Sequence, residues 1–422
     1  MTSTLSPAPD STPDGGDRWA RRPSAAATSE SRGKRPVWRR PRYLVAAAIV
    51  LVVALPAWSL GTYLARPSTD PTSVRAVEWL RRHGGSSAVN QAEHVWYEHH
   101  KPPVGGHPRQ ALPAAAALPS TSVPAPSVNS PTTLPAPVPT IGGSGGTGVT
   151  LARLAPVRPL AQPALPGEGV WVVAQGTATN PIVATTEVRP DPVHTSLLAG
   201  VARIQTGRTR LELLPGTEEP GGSFPTNGQV PPADRPHLLA AFNAGFQHRG
   251  SNGGWTAGGR TVGAMRPGAA SLVIKADGTA TVGQWGRDVN PGPDVVAVRQ
   301  NLDLVVDGGV PVPGVDQDAN RRWGATLGNA QFVWRSGVGV TADGALVYVG
   351  GPGLSIQTLA AVLVAAGAVR AMELDINTIW VQFFVYHQTP TGLVGTKLLP
   401  EMHHDPNHYL VPQTRDFFAL VG

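Results

Sequence analysis

Cysteine is absent from all 422 residues. That excludes disulfides and thiolate-held metal centres, and it leaves the redox compartment unmarked. No internal repeat occurs, which sets aside solenoid and propeller architectures. A charge excess is also missing from most of the chain. The formal net charge is +6, but residues 1–42 alone hold nine Arg or Lys against four acids. The rest is near balance, so a basic groove is not required and no nucleic-acid partner is expected. Two glycine-rich stretches, Gly253-Gly254-Trp255 and Gly258-Gly259-Arg260, lack the strand–loop–helix setting of a nucleotide-binding loop.

What the chain does have is 49 Gly and 43 Pro, unevenly placed. Residues 1–42, rich in Ser, Pro, Ala and Arg without hydrophobic periodicity, read as a disordered basic cytoplasmic tail. Residues 43–65 carry no charge, follow Arg39, Arg40 and Arg42, and are long enough for a transmembrane helix. The long preceding region and the lack of a small-x-small site argue against a cleaved signal peptide. The Arg cluster predicts a single-pass protein of the cell membrane, with its N-terminus cytoplasmic and its C-terminal domain extracytoplasmic. Residues 66–101 read as a short helical juxtamembrane segment, broken at Gly84-Gly85. Residues 102–166 are a Pro/Ala/Gly-rich linker whose polyproline reach would be roughly 200 Å.

The folded domain is expected over residues 167–422. Segments 169–174 and 201–214 alternate like strands, and Asp277-Gly278, Asp307-Gly308 and Asp343-Gly344 signal tight turns. Ser355 caps a helix with an Ile356, Leu359, Ala360, Leu363, Val364 stripe, ended by Gly367 and too short to span a membrane. The pattern predicts a mixed α/β (α+β) domain of antiparallel hairpins and helix–strand units.

Candidate chemistry gathers in a few places. Glu373 and Asp375 alternate onto one face of a strand, 369–375, that reads as buried, where carboxylates need cations or a function. Asn243 in Ala241-Phe242-Asn243-Ala244-Gly245-Phe246 offers a donor and an acceptor, and Gly245 permits close backbone approach. Arg335, opening Arg335-Ser336-Gly337-Val338-Gly339, can fork onto a phosphate or carboxylate, with Arg321 or Arg322 as a second cation. Trp255, Trp323 and Trp380 can stack on sugar rings or fill a core. His403, His404, Asp405 and His408 are metal-ligating types in a Pro/Asn-rich stretch that reads as a surface loop. Neither a metal nor another cofactor is expected there.

Taken in order, the Asn-x-Gly-Phe segment, Arg-Ser-Gly-Val-Gly, the apolar helix and a strand closing on Leu374-Asp375 resemble the phosphodiester glycosidase family. The resemblance runs from Leu238 to Phe384, with a weaker lead-in at 201–216. It implies a mixed α/β fold and hydrolysis of a phosphodiester-linked sugar. Asn243, Arg335 and Asp375 fall on the family's polar positions, which implies a phosphate clamp at Arg335 and a nucleophile or base at Asp375. Asn243 would orient a sugar hydroxyl and Glu373 would be a second carboxylate. Arg322, Gly245, Trp255 and Asn377 are the accompanying substrate-binding candidates. Where the family has a Gly-Gly-Gly-Ser run, this chain has Ile376-Asn377-Thr378, so the loop after Asp375 takes another shape. The expected function is an anchored extracytoplasmic glycoside hydrolase acting on cell-wall or exported glycopolymer. The alternative is a catalytically inactive glycopolymer-binding or envelope/exopolysaccharide-organising protein on the same fold. The expected partners are a phosphodiester-bearing carbohydrate and, through the anchor, the lipid bilayer.

Overall fold

The computed structural model describes residues 40–112 and 154–422, apart from 66, 67, 69, 223, 252, 318–320, 325 and 327–329. The basic tail before residue 40 and the central part of the expected linker, 113–153, lie outside the described residues.

Apolar side chains all round a helix suit a hydrocarbon environment. Helix α1 (Arg40–Leu64) is of this kind, with Pro56 inside it, and it is the one helix among the described residues long and apolar enough to cross a membrane. Two shorter helices follow, α2 (Thr72–Leu80) and α3 (Ser86–His99). Between them Arg81–Gly85 turns irregularly with Gly84 at φ +83°, a conformation glycine adopts without strain.

Both flanks of the expected linker pack on the β domain. The Gly105 amide donates to the Val193 carbonyl at 2.7 Å, and the Val157 amide to Gly169 at 2.9 Å. Proline-rich chain lacks donors but keeps carbonyls. Arg189, paired with buried Glu168 at 2.7 Å, donates to the carbonyls of Ala161 and Pro163. Residues 102–112 and 154–166 of the expected linker are therefore held against the β domain.

The domain is richer in sheet than its sequence suggests. Its strands are β1 (Val172–Thr177), β2 (Asn180–Val188), β3 (Ala199–Ile204), β4 (Arg210–Leu214), β5 (Leu238–Asn243), β6 (Trp255–Ala257), β7 (Arg260–Val262), β8 (Ala270–Lys275) and β9 (Ala280–Gln284). There follow β10 (Val295–Gln300), β11 (Leu304–Asp307), β12 (Val310–Pro311), β13 (Val333–Thr341), β14 (Leu346–Leu354), β15 (Ala368–Glu373), β16 (Phe383–Thr389), β17 (Gly392–Lys397) and β18 (Phe417–Val421). An eight-stranded sheet has the order β1-β2-β3-β14-β13-β15-β11-β12, beside two five-stranded sheets, β7-β6-β10-β8-β9 and β17-β16-β5-β18-β4. The alternating run 201–214 breaks at Thr206-Gly207, which sends β3 and β4 to different sheets. Each Asp-Gly pair does turn a hairpin, joining β8 to β9, β11 to β12 and β13 to β14.

After the single-turn helix α4 (His248–Ser251), the domain's main helix is α5 (Ile356–Ala365). The helix–strand units expected in the plural reduce to one crossover, β14–α5–β15, among the described residues. Ser355 and Thr358 form a reciprocal cap at the start of α5, and Gly367 at φ +93° ends it. Its buried stripe joins Val201, Val306, Val347 and Ala371 in the core on that face of the large sheet. That packing fixes where β15 starts, and hence where it delivers its acidic end. Ser355→Ala is expected to lower unfolding stability by about 1 kcal/mol in urea titration, with no change in the circular-dichroism spectrum of the folded state.

Candidate active site

A backbone leaving a sheet edge carries polar groups that must be met by side chains. Beyond β15, Leu374 N–H donates to Ser336 O at 2.7 Å and Ser336 N–H to Asp375 O at 2.8 Å, so pairing with β13 outlasts the strand. Asn301 Nδ2 donates to the carbonyls of Glu373 (2.7 Å) and Leu374 (3.0 Å), while its Oδ1 accepts from Phe246 N–H at 3.1 Å. A Cβ on Gly245 would come within 2.8 Å of the Asn301 side chain, so only glycine fits there.

Asn243 belongs to this frame. Its Nδ2 donates to Ala244 O (2.9 Å) and Ser336 Oγ (3.0 Å), and its Oδ1 accepts from Tyr348 Oη (2.9 Å) and Gln382 N–H (3.1 Å). With both ends engaged by protein, the side chain is a fixed brace and not a loose hydrogen-bonding arm.

Glu373 and Asp375 part company. Glu373 is wholly buried and accepts from Arg335 Nη1 at 2.6 Å, while Arg335 Nε donates to Leu354 O at 2.9 Å. Neither lines the main cavity. Arg335 therefore lies beneath the site, beside the buried acid, and not over an open cleft. Burial pushes the Glu373 carboxyl up to about 7, against the pull of Arg335.

Asp375 faces the cavity. Its Oδ1 accepts from Asn377 N–H at 2.9 Å and its Oδ2 from Arg415 Nη2 at 3.1 Å; the same Nη2 donates to Gly245 O at 3.0 Å. Burial raises the Asp375 carboxyl above its usual range, opposed chiefly by Arg415. The cavity, about 640 Å³, is lined on this side by Asp375, Asn377, Trp380 and Arg415. The helical segment 72–99 supplies Glu78, Arg81, Arg82, Asn90 and Glu93, and the stretch after Gly245 adds Gln247 and Arg249. Glu78 is a second buried carboxyl on the cavity, raised by burial. A smaller, water-sized space behind Asp375 is bounded by Asn243, Gly245, Gln382 and His408.

The loop after Asp375 needs no glycine. Among the described non-glycine residues only Asn227 and Leu302 have positive φ. The turn is instead held by side chain to backbone bonds, Asn377 N–H to Asp375 and Ile379 N–H to Asn377 Oδ1 at 3.0 Å.

Thus Asn243, Gly245, Glu373, Asp375, Asn377 and Arg335 lie in one neighbourhood, with Asp375 and Asn377 on the main cavity. Neither Arg322 nor Trp255 lines that cavity. Arg322, exposed, pairs with Asp303 at 2.7 Å over the Trp323 ring, and Trp255 is buried in the core against Phe224. Arg415 was not foreseen. Its signal is Thr414-Arg415-Asp416, a charged step just before the wholly apolar strand β18. Asp416 pairs with Arg299 at 2.6 Å, both fully buried, and Arg415 stacks over Trp380 at 5.1 Å.

Removing Arg335 leaves Glu373 buried and alone, so Arg335→Met is expected to cost about 3–5 kcal/mol of stability, read by chemical denaturation. The pH dependence has a fixed sign. The folded-state carboxyl of Glu373 titrates near 7, above its ordinary 4.5, so its stabilising contribution is full below about pH 4.5 and is lost as pH rises through 7. Glu373→Gln should flatten that fall between about pH 5 and 8.

No curated protein matches the chain. Among solved structures it is similar to the zebrafish N-acetylglucosamine-1-phosphodiester alpha-N-acetylglucosaminidase catalytic domain, auto-inhibited by pro-peptide. The identity is 16%, over 60% of this chain and 87% of that one, with a TM-score of 0.39. It is also similar to a hypothetical protein from Synechocystis, at 14% identity over 57% of this chain and 62% of that one, with a TM-score of 0.32. Residues 237–375, the stretch holding Asn243, Arg335, Glu373 and Asp375, match the phosphodiester glycosidase family model.

Proposed function

We propose that the protein is a membrane-anchored, extracytoplasmic hydrolase that cleaves a phosphodiester-linked sugar in cell-wall or exported glycopolymer. The observation that carries this reading is Asp375, a buried carboxylate of the family-matched segment opening on a cavity of about 640 Å³. That volume suits a sugar with its phosphate. Helix α1 is the candidate anchor, and the basic residues before it favour an outward-facing domain.

Breaking the sugar C1–oxygen bond develops oxocarbenium-like charge, which the Asp375 carboxylate stabilises as nucleophile or base. The group that leaves is a phosphate ester, already a weak base, so charge compensation matters more than proton donation. Water completes the reaction by adding to the sugar carbon. Arg415 opposes the effect of burial on the Asp375 carboxyl and holds it in place. Arg249, together with Arg81 and Arg82 on exchanging their partners Glu93 and Glu218, supplies positive charge for the phosphate, the task the sequence had suggested for Arg335.

Asp375→Asn is expected to reduce sugar release from a sugar-1-phosphodiester by about 10²–10⁴-fold in the full-length protein in detergent. Equal background rates for wild type and variant would end the hydrolase reading; anionic polymer binding that persists without turnover would support a binding protein in its place. Because burial lifts the Asp375 carboxyl, the acid limb of the wild-type rate profile should lie above the usual aspartate value of 3.8. Replacing Arg81 and Arg82 together by Ala should raise KM by about tenfold or more with a smaller effect on kcat.

A further inference from the structure

His404 and His408 do not sit in a surface loop. Both imidazoles are buried, at 0% and 1% exposure, with ring centroids 3.7 Å apart. His404 packs against Trp380, and His408 opens a 3-10 turn, His408–Leu410, against Tyr409. Between them comes a residue far away in the chain, Asp70, just ahead of α2. Its Oδ1 lies 2.8 Å from His404 Nδ1, and its two oxygens lie 3.1 and 3.2 Å from His408 Nδ1. The three ligand atoms lie within 4.8 Å of one another.

We propose that Asp70, His404 and His408 bind one divalent transition ion of the zinc class, joining the segment around α2 and α3 to the β domain. Three observations point this way. The donor set, two imidazoles and one carboxylate, is the borderline nitrogen–oxygen set that zinc accepts in a chain without thiolates. The spacing fits: with metal–ligand bonds of about 2.0–2.1 Å, tetrahedral donors stand roughly 3.3 Å apart, against 2.8 Å from Asp70 to His404 and 3.1 Å from Asp70 to His408. The charge balance also asks for a cation, since the Asp70 side chain is only 5% exposed and no Lys or Arg among the described residues pairs with it. A divalent ion supplies that charge at the point where the donors converge, and a water or substrate oxygen can complete the set.

The site is independent of the hydrolase reading, and its test does not rely on turnover. The full-length protein, with any affinity tag removed, is stripped with chelator in detergent and desalted. It is then given one equivalent of Zn²⁺, Mg²⁺ or Ca²⁺ and measured for bound metal and thermal unfolding. The expected result is about one zinc per chain after desalting and a midpoint raised by about 5 °C, with no shift from Mg²⁺ or Ca²⁺. His404→Ala, His408→Ala and Asp70→Asn should each lose the zinc and the shift, while His403→Ala, outside the cluster, keeps both. Should stripped and zinc-treated wild type unfold at one temperature with no retained zinc, the triad is a hydrogen-bonded clasp and the metal assignment is wrong. That comparison needs no variant, so a misfolded substitution cannot obscure the outcome.

Discussion

Charge that has been taken out of water must find its counter-charge inside the protein, and this constraint organises the region around Asp375. Arg335 with Glu373 ties β13 to β15, and Arg299 with Asp416 ties β10 to the start of β18. Both pairs are buried, so neither partner can be lost without stranding the other. Asp375 is handled differently: its partner Arg415 stands at the cavity, and the ion pair is open to whatever enters. Asn243, Asn301 and Ser336 then hold the intervening backbone by hydrogen bonds, leaving the acid at the end of β15 little freedom of position.

The cavity is composite. One wall follows the family-matched stretch, but the facing wall comes from the helical segment 72–99, and Arg415 comes from the last strand connection. Residues beyond the matched stretch therefore set much of the cavity's charge.

Local signals were the readable ones. Asp-Gly turns, the Ser355 cap and the Gly367 stop were all legible because each acts over a few residues, as was the break at Gly84. The carboxylate pair was legible as a chemical anomaly on a strand that reads as buried. Its two fates were not, because alternation alone cannot say which acid meets Arg335 and which meets Arg415. The partners of β3 and β4 were also out of reach, since alternating patterns look alike whichever sheet receives them. Asp70 with His404 and His408 is the clearest case: the two histidines stood out, but the residue that completes them lies 334 positions earlier.

The two ends of the proline-rich stretch both rest on the same β domain, at Val193 and Gly169. A loop that leaves a body and comes back to it adds no distance between that body and anything else.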